Sequence, residues 1–230
     1  VSPVLAEFAR QQGYTGPLEV IPNLVELSAS EPATRPPHQP PVIATMGVLR
    51  RTKGQDLLLQ AAHILQQRQV LFKLVIAGKG RWHKKVNRLI NSLGLSHITQ
   101  RLDWVSNAQR DAFIDAADIV CVPSRGETFG MVVIEAMARK RLVVATRCGG
   151  PQGIIEHQVN GLLCDIDALS LADALQQAIE LAAQDHQQLC EAAFIQARDH
   201  YSPLPVRSQI KAMLKQHIET PLEKQHQAPN

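Results

Sequence analysis

The chain has 230 residues, 45% of them hydrophobic and 20% charged, the composition of a soluble globular protein with room for one large domain or two small ones. Its 4% aromatic content argues against a surface built on base stacking. A net charge of +3 does not call for nucleic acid, while allowing an anionic ligand or peripheral contact with a membrane surface.

In chain order, Val1 to Gly16 reads as a helix with Val4, Leu5, Phe8 and Ala9 on its apolar face, and Leu18 to Val25 as a strand ending at Pro22-Asn23. The opening VSPVLAEFAR carries neither an initiator Met nor a signal-peptide pattern, as expected of a piece cut from a longer chain. Five prolines between Glu31 and Pro41 predict an extended, largely unpaired linker. From Pro41 the pattern alternates. Strands are predicted at Val42–Met46, Phe72–Ala77, Ile98–Leu102, Ile119–Val122, Leu142–Ala145 and Gly161–Cys164. Helices are predicted at Gln55–Gln67, Trp82–Leu93, Asn107–Ala116 and Phe129–Arg139, then Leu171–Ala183, Gln187–Arg198 and Leu204–Ile218. Such alternation implies an α/β fold, a Rossmann-like doubly wound parallel sheet that takes its ligands at the carboxyl ends of the strands. The expected division is 1–40 for the end of a preceding domain plus linker, 41–202 for the ligand-binding domain, and 203–230 for a C-terminal helix and polar tail. The tail, Glu219 to Asn230, is expected to be disordered. No apolar run approaches the ~18–20 residues of a transmembrane helix.

The chemistry gathers in Val120 to Cys148, VCVPSRGETFGMVVIEAMARKRLVVATRC. Two buried strands flank one helix, and the turn that feeds the helix carries Glu127, with Glu135 inside the helix. A helix N-terminus at the end of a parallel strand suits phosphate. From Gly130, Glu135 begins roughly 7–8 Å along the axis, its Cβ tilted back toward the N-terminus. The two carboxylates would then bracket a diphosphate and accept hydrogen bonds from hydroxyls on either side of it, which is the layout of a nucleotide-sugar. Spacing alone is equally satisfied by Glu127 as a capping or dipole acid and Glu135 as a solvated helix residue.

PSRGETFGMVVIEAMA, continued by VVAT, GG and NGLL, resembles the E-x7-E segment of retaining GT-B glycosyltransferases of the family 4 type (group 1). The resemblance covers most of Pro41 to about Asp165. It implies the carboxyl-terminal, donor-binding half of a GT-B fold, in an enzyme of polysaccharide or lipopolysaccharide biosynthesis. Such an enzyme moves a sugar from a UDP- or GDP-linked donor to a sugar, lipid or glycolipid acceptor with retention of configuration. An N-terminal domain of the full-length protein would supply the acceptor site, and location would be cytoplasmic, at the inner face of the membrane. By the resemblance Lys53 stabilises charge on the leaving diphosphate and Glu127 orients the donor sugar. Glu135 holds ribose hydroxyls, and the backbone N–H groups of Thr128, Phe129 and Gly130 meet sugar or phosphate oxygens. Gly47 and Lys53-Gly54 match the family's G-R-L…K-G element, but its Arg position is Val48, which cannot replace a bidentate phosphate donor; Arg50 or Arg51 would substitute from the same turn. No metal or other cofactor is implied.

Other features read more plainly. Gly78-Lys79-Gly80 lacks the third glycine of a dinucleotide fingerprint, His83 standing there, and reads as the tight turn ending a buried strand. Gly149-Gly150 also matches the family, whereas the acid expected three positions later is Gly153, and Lys140 and Leu142 replace a glycine and a proline. Asp165-Ile166-Asp167 fits turn and capping roles better than a metal clamp, and the basic Arg81–Lys85 cluster fits a solvated face. Cys121, Cys148, Cys164 and Cys190 show no C-x-x-C spacing, which suggests buried thiols in a reducing compartment. Against the transferase stand a catalytically degenerate binding or scaffold module, favoured by Val48 and Gly153, and a two-carboxylate glycoside hydrolase, which would need an open saccharide cleft.

Overall fold

The structure, a computed structural model, describes residues 2–27, 32 and 34–219. Its frame is one parallel sheet of six strands: β1 (Val42–Met46), β2 (Lys73–Ala77), β3 (Thr99–Leu102), β4 (Ile119–Val122), β5 (Leu142–Thr146) and β6 (Leu162–Cys164), in the order β3-β2-β1-β4-β5-β6. Alternate residues of one strand feed opposite faces. Ile43 joins a core with Leu58, Leu65, Leu74 and Ile76 on one face, and Ala44 joins a second with Ile134, Met137 and Val143 on the other. With both faces covered, β4 is a continuous apolar run and β5 is one as far as Ala145, as suits a parallel sheet.

The helices are α1 (Pro3–Gln11), α2 (Gln55–Gln67), α3 (His83–Ser92), α4 (Asn107–Asp115), α5 (Met131–Met137), α6 (Ala168–Glu180), α7 (Ala183–Gln196) and α8 (Pro203–Glu219). Each matches a predicted helix; α2 has the expected bounds and the others have shifted ends. The first is shorter than Val1–Gly16: Ser2 caps it through its hydroxyl, Pro3 occupies its first turn, and the chain breaks away at Gly13 with φ 89°. α6 begins three residues before its predicted start because the Asp167 side chain accepts from Ser170 N–H at 2.8 Å, an N-cap. The central helix is confined to Met131–Met137, since Gly130 sits at φ 107° ahead of it. Of the tail expected to be disordered, Glu219 ends α8 and residues 220–230 lie outside the described residues.

The strand predicted over Leu18 to Val25 does not form. Pro17 and Pro22 remove two donors, and the segment finds other partners: Val25 N–H donates to Tyr201 O at 2.8 Å and the Gln209 amide to Val20 O at 3.0 Å. The proline-rich stretch is tied down by side chains. Arg35 reaches under the sheet to Asp118 Oδ1 at 2.5 Å and to the carbonyls of Asp115 and Ala117. His38 Nδ1 lies 2.9 Å from Asp118 Oδ2, which also accepts Val42 N–H at 2.7 Å. Burial alone would raise the Asp118 carboxyl, but the Val42 N–H, His38 and Arg35 together hold it below its ordinary value.

Candidate active site

The strand order places β1 beside β4 while their connections leave in opposite directions, so a crevice opens beyond their carboxyl ends. β1 runs out through Gly47 and Val48 into a 3₁₀ turn at Arg51–Lys53, and Gly54 starts α2. Gly54 has φ 67°, and a Cβ there would lie 1.7 Å from Pro123 O. Glycine therefore lets the turn after β1 press against the loop after β4. Arg125 fastens the two: its N–H donates to Thr52 O at 2.7 Å, and its guanidinium is bidentate on Asp56 at 2.7 and 3.1 Å. The same β4 loop is latched to the β5 loop, with Glu127 N–H on Cys148 O and Gly150 N–H on Glu127 O.

These backbone contacts aim Lys53 and Glu127 at each other. The Lys53 ammonium and the Glu127 carboxylate form a direct ion pair, both side chains being largely buried. Around them is a cavity of about 180 Å³ lined by Thr45, Ser124, Gly130 and Val132 as well. Met46, Met131 and Val132 also line a neighbouring cavity of about 270 Å³, whose walls include Gly47, Val48, Gly78, Trp104, Arg110 and Glu135. Glu135 is only 7% exposed, not the solvated residue that spacing equally allowed. Arg110, from α4, donates to Glu135 Oε1 at 2.8 Å. Burial raises the Glu135 carboxyl, Arg110 works against that, and Asp111 adds to it.

Of the residues expected to bind, Lys53, Glu127 and Gly130 share one cavity, and Gly47 and Glu135 the adjoining one. Arg50 and Thr128 are exposed and line neither. The Phe129 side chain turns inward and meets Tyr201 edge-on, ring centroids 5.8 Å apart, leaving only its backbone near the crevice. Val48, 46% exposed, stands in the Glu135 cavity. Arg125, Arg110 and Trp104 were not singled out in the sequence; each gains its place from contacts 25 or more residues away or from the fold of a loop. Gly153 lines a different cavity, with Phe129 and Tyr201. Among the described residues no cluster of three or more His, Cys, Asp or Glu could hold a metal ion, all four cysteines are free, and no helix is long and apolar enough to cross a membrane.

A doubly wound α/β domain with two adjoining cavities at its switch point is the class defined by this geometry. The chain belongs to the glycosyl transferases group 1 family, whose model matches residues 28–195. It is 37% identical over 161 residues to a D-inositol 3-phosphate glycosyltransferase of Corynebacterium urealyticum, covering 66% of this chain and 37% of that protein. It is 28% identical to the lipopolysaccharide core biosynthesis glycosyltransferase LpsE of Rhizobium meliloti, covering 77% and 52%. The chain thus spans about half, or less, of the length of these relatives. Its fold is that of the GT-B glycosyltransferases. It superposes on sucrose-phosphate synthase from Thermosynechococcus elongatus with a TM-score of 0.83 at 21% identity, over 95% of this chain and 57% of that one. For Anabaena HepE, solved in complex with UDP, the TM-score is 0.69 at 23% identity, over 94% and 54%.

Proposed function

We propose that this chain is the donor-binding half of a retaining glycosyltransferase of the family 4 type that uses a UDP- or GDP-linked sugar. The observation that carries the reading is the convergence of Lys53, Glu127 and Glu135 on two adjoining cavities at the switch point; HepE, of the same fold, has been solved with UDP. The diphosphate would lie between the cavities, with Lys53 leaving Glu127 to meet the charge that grows on the leaving group as the bond between sugar and diphosphate breaks. Glu127 would orient the sugar and Glu135 would accept from the ribose hydroxyls. The Gly130 end of the β4 loop would offer backbone N–H groups. The acceptor, a sugar, lipid or glycolipid, would take the sugar on a hydroxyl in the same stereochemical sense, with no metal. Its site would belong to a further domain of the longer protein, for which the relatives' lengths leave room, and the work would be done at the cytoplasmic face of a membrane.

Calorimetric titration with UDP, GDP and ADP in the presence of EDTA tests the donor reading: UDP or GDP should bind, and failure of all three at millimolar concentration would sink it. Anomeric proton NMR of the product made by the longer protein tests retention, and an inverted product refutes it. Val48 favours one alternative, a binding module without turnover, since it presents an aliphatic side chain to the Glu135 cavity where the family places an arginine. Donor binding without transfer in the longer protein would select that alternative.

A further inference from the structure

We infer that Arg110 is a positioning residue of the donor site: it keeps the Glu135 carboxylate ionised and held at the crevice wall, so that a nucleotide's hydroxyls meet a charged acceptor. The inference rests on the donor reading above and assigns a role to a residue outside the motifs that carried it.

Glu135 stands in the middle of α5, where its neighbours Val133, Ile134, Ala136 and Met137 are buried in the core. The strands beneath the helix present Val120, Val122, Val143 and Ala145, which offer a carboxylate nothing. Charge must be answered from another element. α4 brings Arg110, bonded to Glu135 Oε1 at 2.8 Å, and also Asp111, which repels it. Of the other charged groups beside α5, Arg139 is engaged by Asp115 and Asp111, while Arg141 also lies near Asp115. Lys140 pairs with Glu191 of α7, and His186 of α7 lies against Cys190. Lys53 is taken by Glu127 in the adjoining cavity. Arg110 is therefore the cation bonded to Glu135 among the described residues.

The pair is asymmetric. The Arg110 side chain is about one third exposed and the Glu135 side chain 9%. An arginine one third exposed that loses this partner keeps Asp111 at 3.8 Å and access to water, but a buried carboxylate that loses its cation takes up a proton instead. A protonated carboxyl is a weaker and differently directed acceptor than the anion. Arg110 also lines the Glu135 cavity, so the pair meets the ligand's space rather than sealing a helix contact behind it.

The test reads UDP affinity by calorimetry between pH 5.5 and 8.5, together with the Glu135 carboxyl titration by ¹³C NMR of glutamate-labelled protein, assigned with Glu135→Gln. Arg110→Gln should bind UDP about tenfold more weakly at the acid end, recover as pH rises, and show a higher carboxyl midpoint than wild type. Arg110→Lys, which keeps the charge, should remain within about threefold of wild type with little change in midpoint. In the Glu135→Gln background, Arg110→Gln should add no further loss, and that double variant has no buried charge to strand. A folded Arg110→Gln with the wild-type midpoint, or an equal loss at every pH, overturns the inference. So does an Arg110→Lys as impaired as Arg110→Gln. Absence of UDP and GDP binding by wild type removes the donor reading itself and the site role with it, an outcome distinct from a ligand-free carboxyl midpoint that ignores Arg110.

Discussion

Replacing Lys53 by alanine probes the heart of the proposed donor site, because the lysine has two partners to lose. A hydrogen bond to a charged group is worth about 1.5–3 kcal/mol, so Lys53→Ala should weaken UDP or GDP about tenfold to a hundredfold. A second effect follows from the ion pair with Glu127. Without the lysine, an uncompensated carboxylate faces the diphosphate; at ~6 Å and an effective dielectric of ~20 the repulsion is about 3 kcal/mol. The Glu127 side chain is 17% exposed, and salt and solvent reduce this to on the order of 1 kcal/mol. The double variant Lys53→Ala/Glu127→Gln should therefore recover about fivefold of the affinity for free diphosphate lost by the single variant. Uridine or guanosine should bind all forms almost equally. The assay is calorimetric titration of the four proteins of the cycle with nucleoside and diphosphate. A nucleoside loss equal to the diphosphate loss, or a double variant no better than Lys53→Ala, refutes the placement of Lys53 at the phosphates beside Glu127.

The two glutamates should separate by ligand. Glu135→Gln should weaken diphosphate and nucleotide-sugar alike by about 1–3 kcal/mol, whereas Glu127→Gln should stay within about fivefold of wild type for free diphosphate and lose affinity only when the sugar is present; equal fractional losses for both ligands would contradict the assignments. Gly54→Ala should cost about 2–3 kcal/mol of stability by chemical denaturation, because its Cβ would meet Pro123 O at 1.7 Å with φ at 67°. Gly126→Ala, with open space around the new Cβ, should change stability by no more than about 0.5 kcal/mol. Asp118→Asn should cost about 2 kcal/mol at pH 7, because the Val42 N–H, His38 and Arg35 lose their shared charged acceptor. Because the folded Asp118 carboxyl lies below its ordinary value, its contribution is present above the ordinary carboxylate value of about 3.9 and is lost as pH falls through the lowered one. The gap between wild type and Asp118→Asn should accordingly narrow in strong acid; a gap that widens there would contradict the sign.

What could be read without the structure was local and periodic. Runs such as Ile119 to Val122 and Leu142 to Ala145 are apolar throughout because both faces of a parallel strand are buried, and the alternation with amphipathic helices carries the doubly wound class. One β-turn-α unit holds Glu127 and Glu135, so their separation could be estimated from helix rise alone. The strand expected over Leu18 to Val25 does not form because a strand's existence depends on a neighbour, and composition cannot say whether one is in reach. Tertiary structure alone decided the rest. Lys53 and Glu127 are 74 residues apart and meet because β1 and β4 are adjacent and Gly54 lets their loops touch. Glu135 is buried and answered by Arg110 because α4 packs beside α5, and Arg35 finds Asp118 at the opposite end of the sheet. Side-chain periods of 2 and 3.6 are properties of neighbouring residues, legible in order along the chain; which charges meet depends on strand order and loop closure, and these are set by the packing of the whole domain.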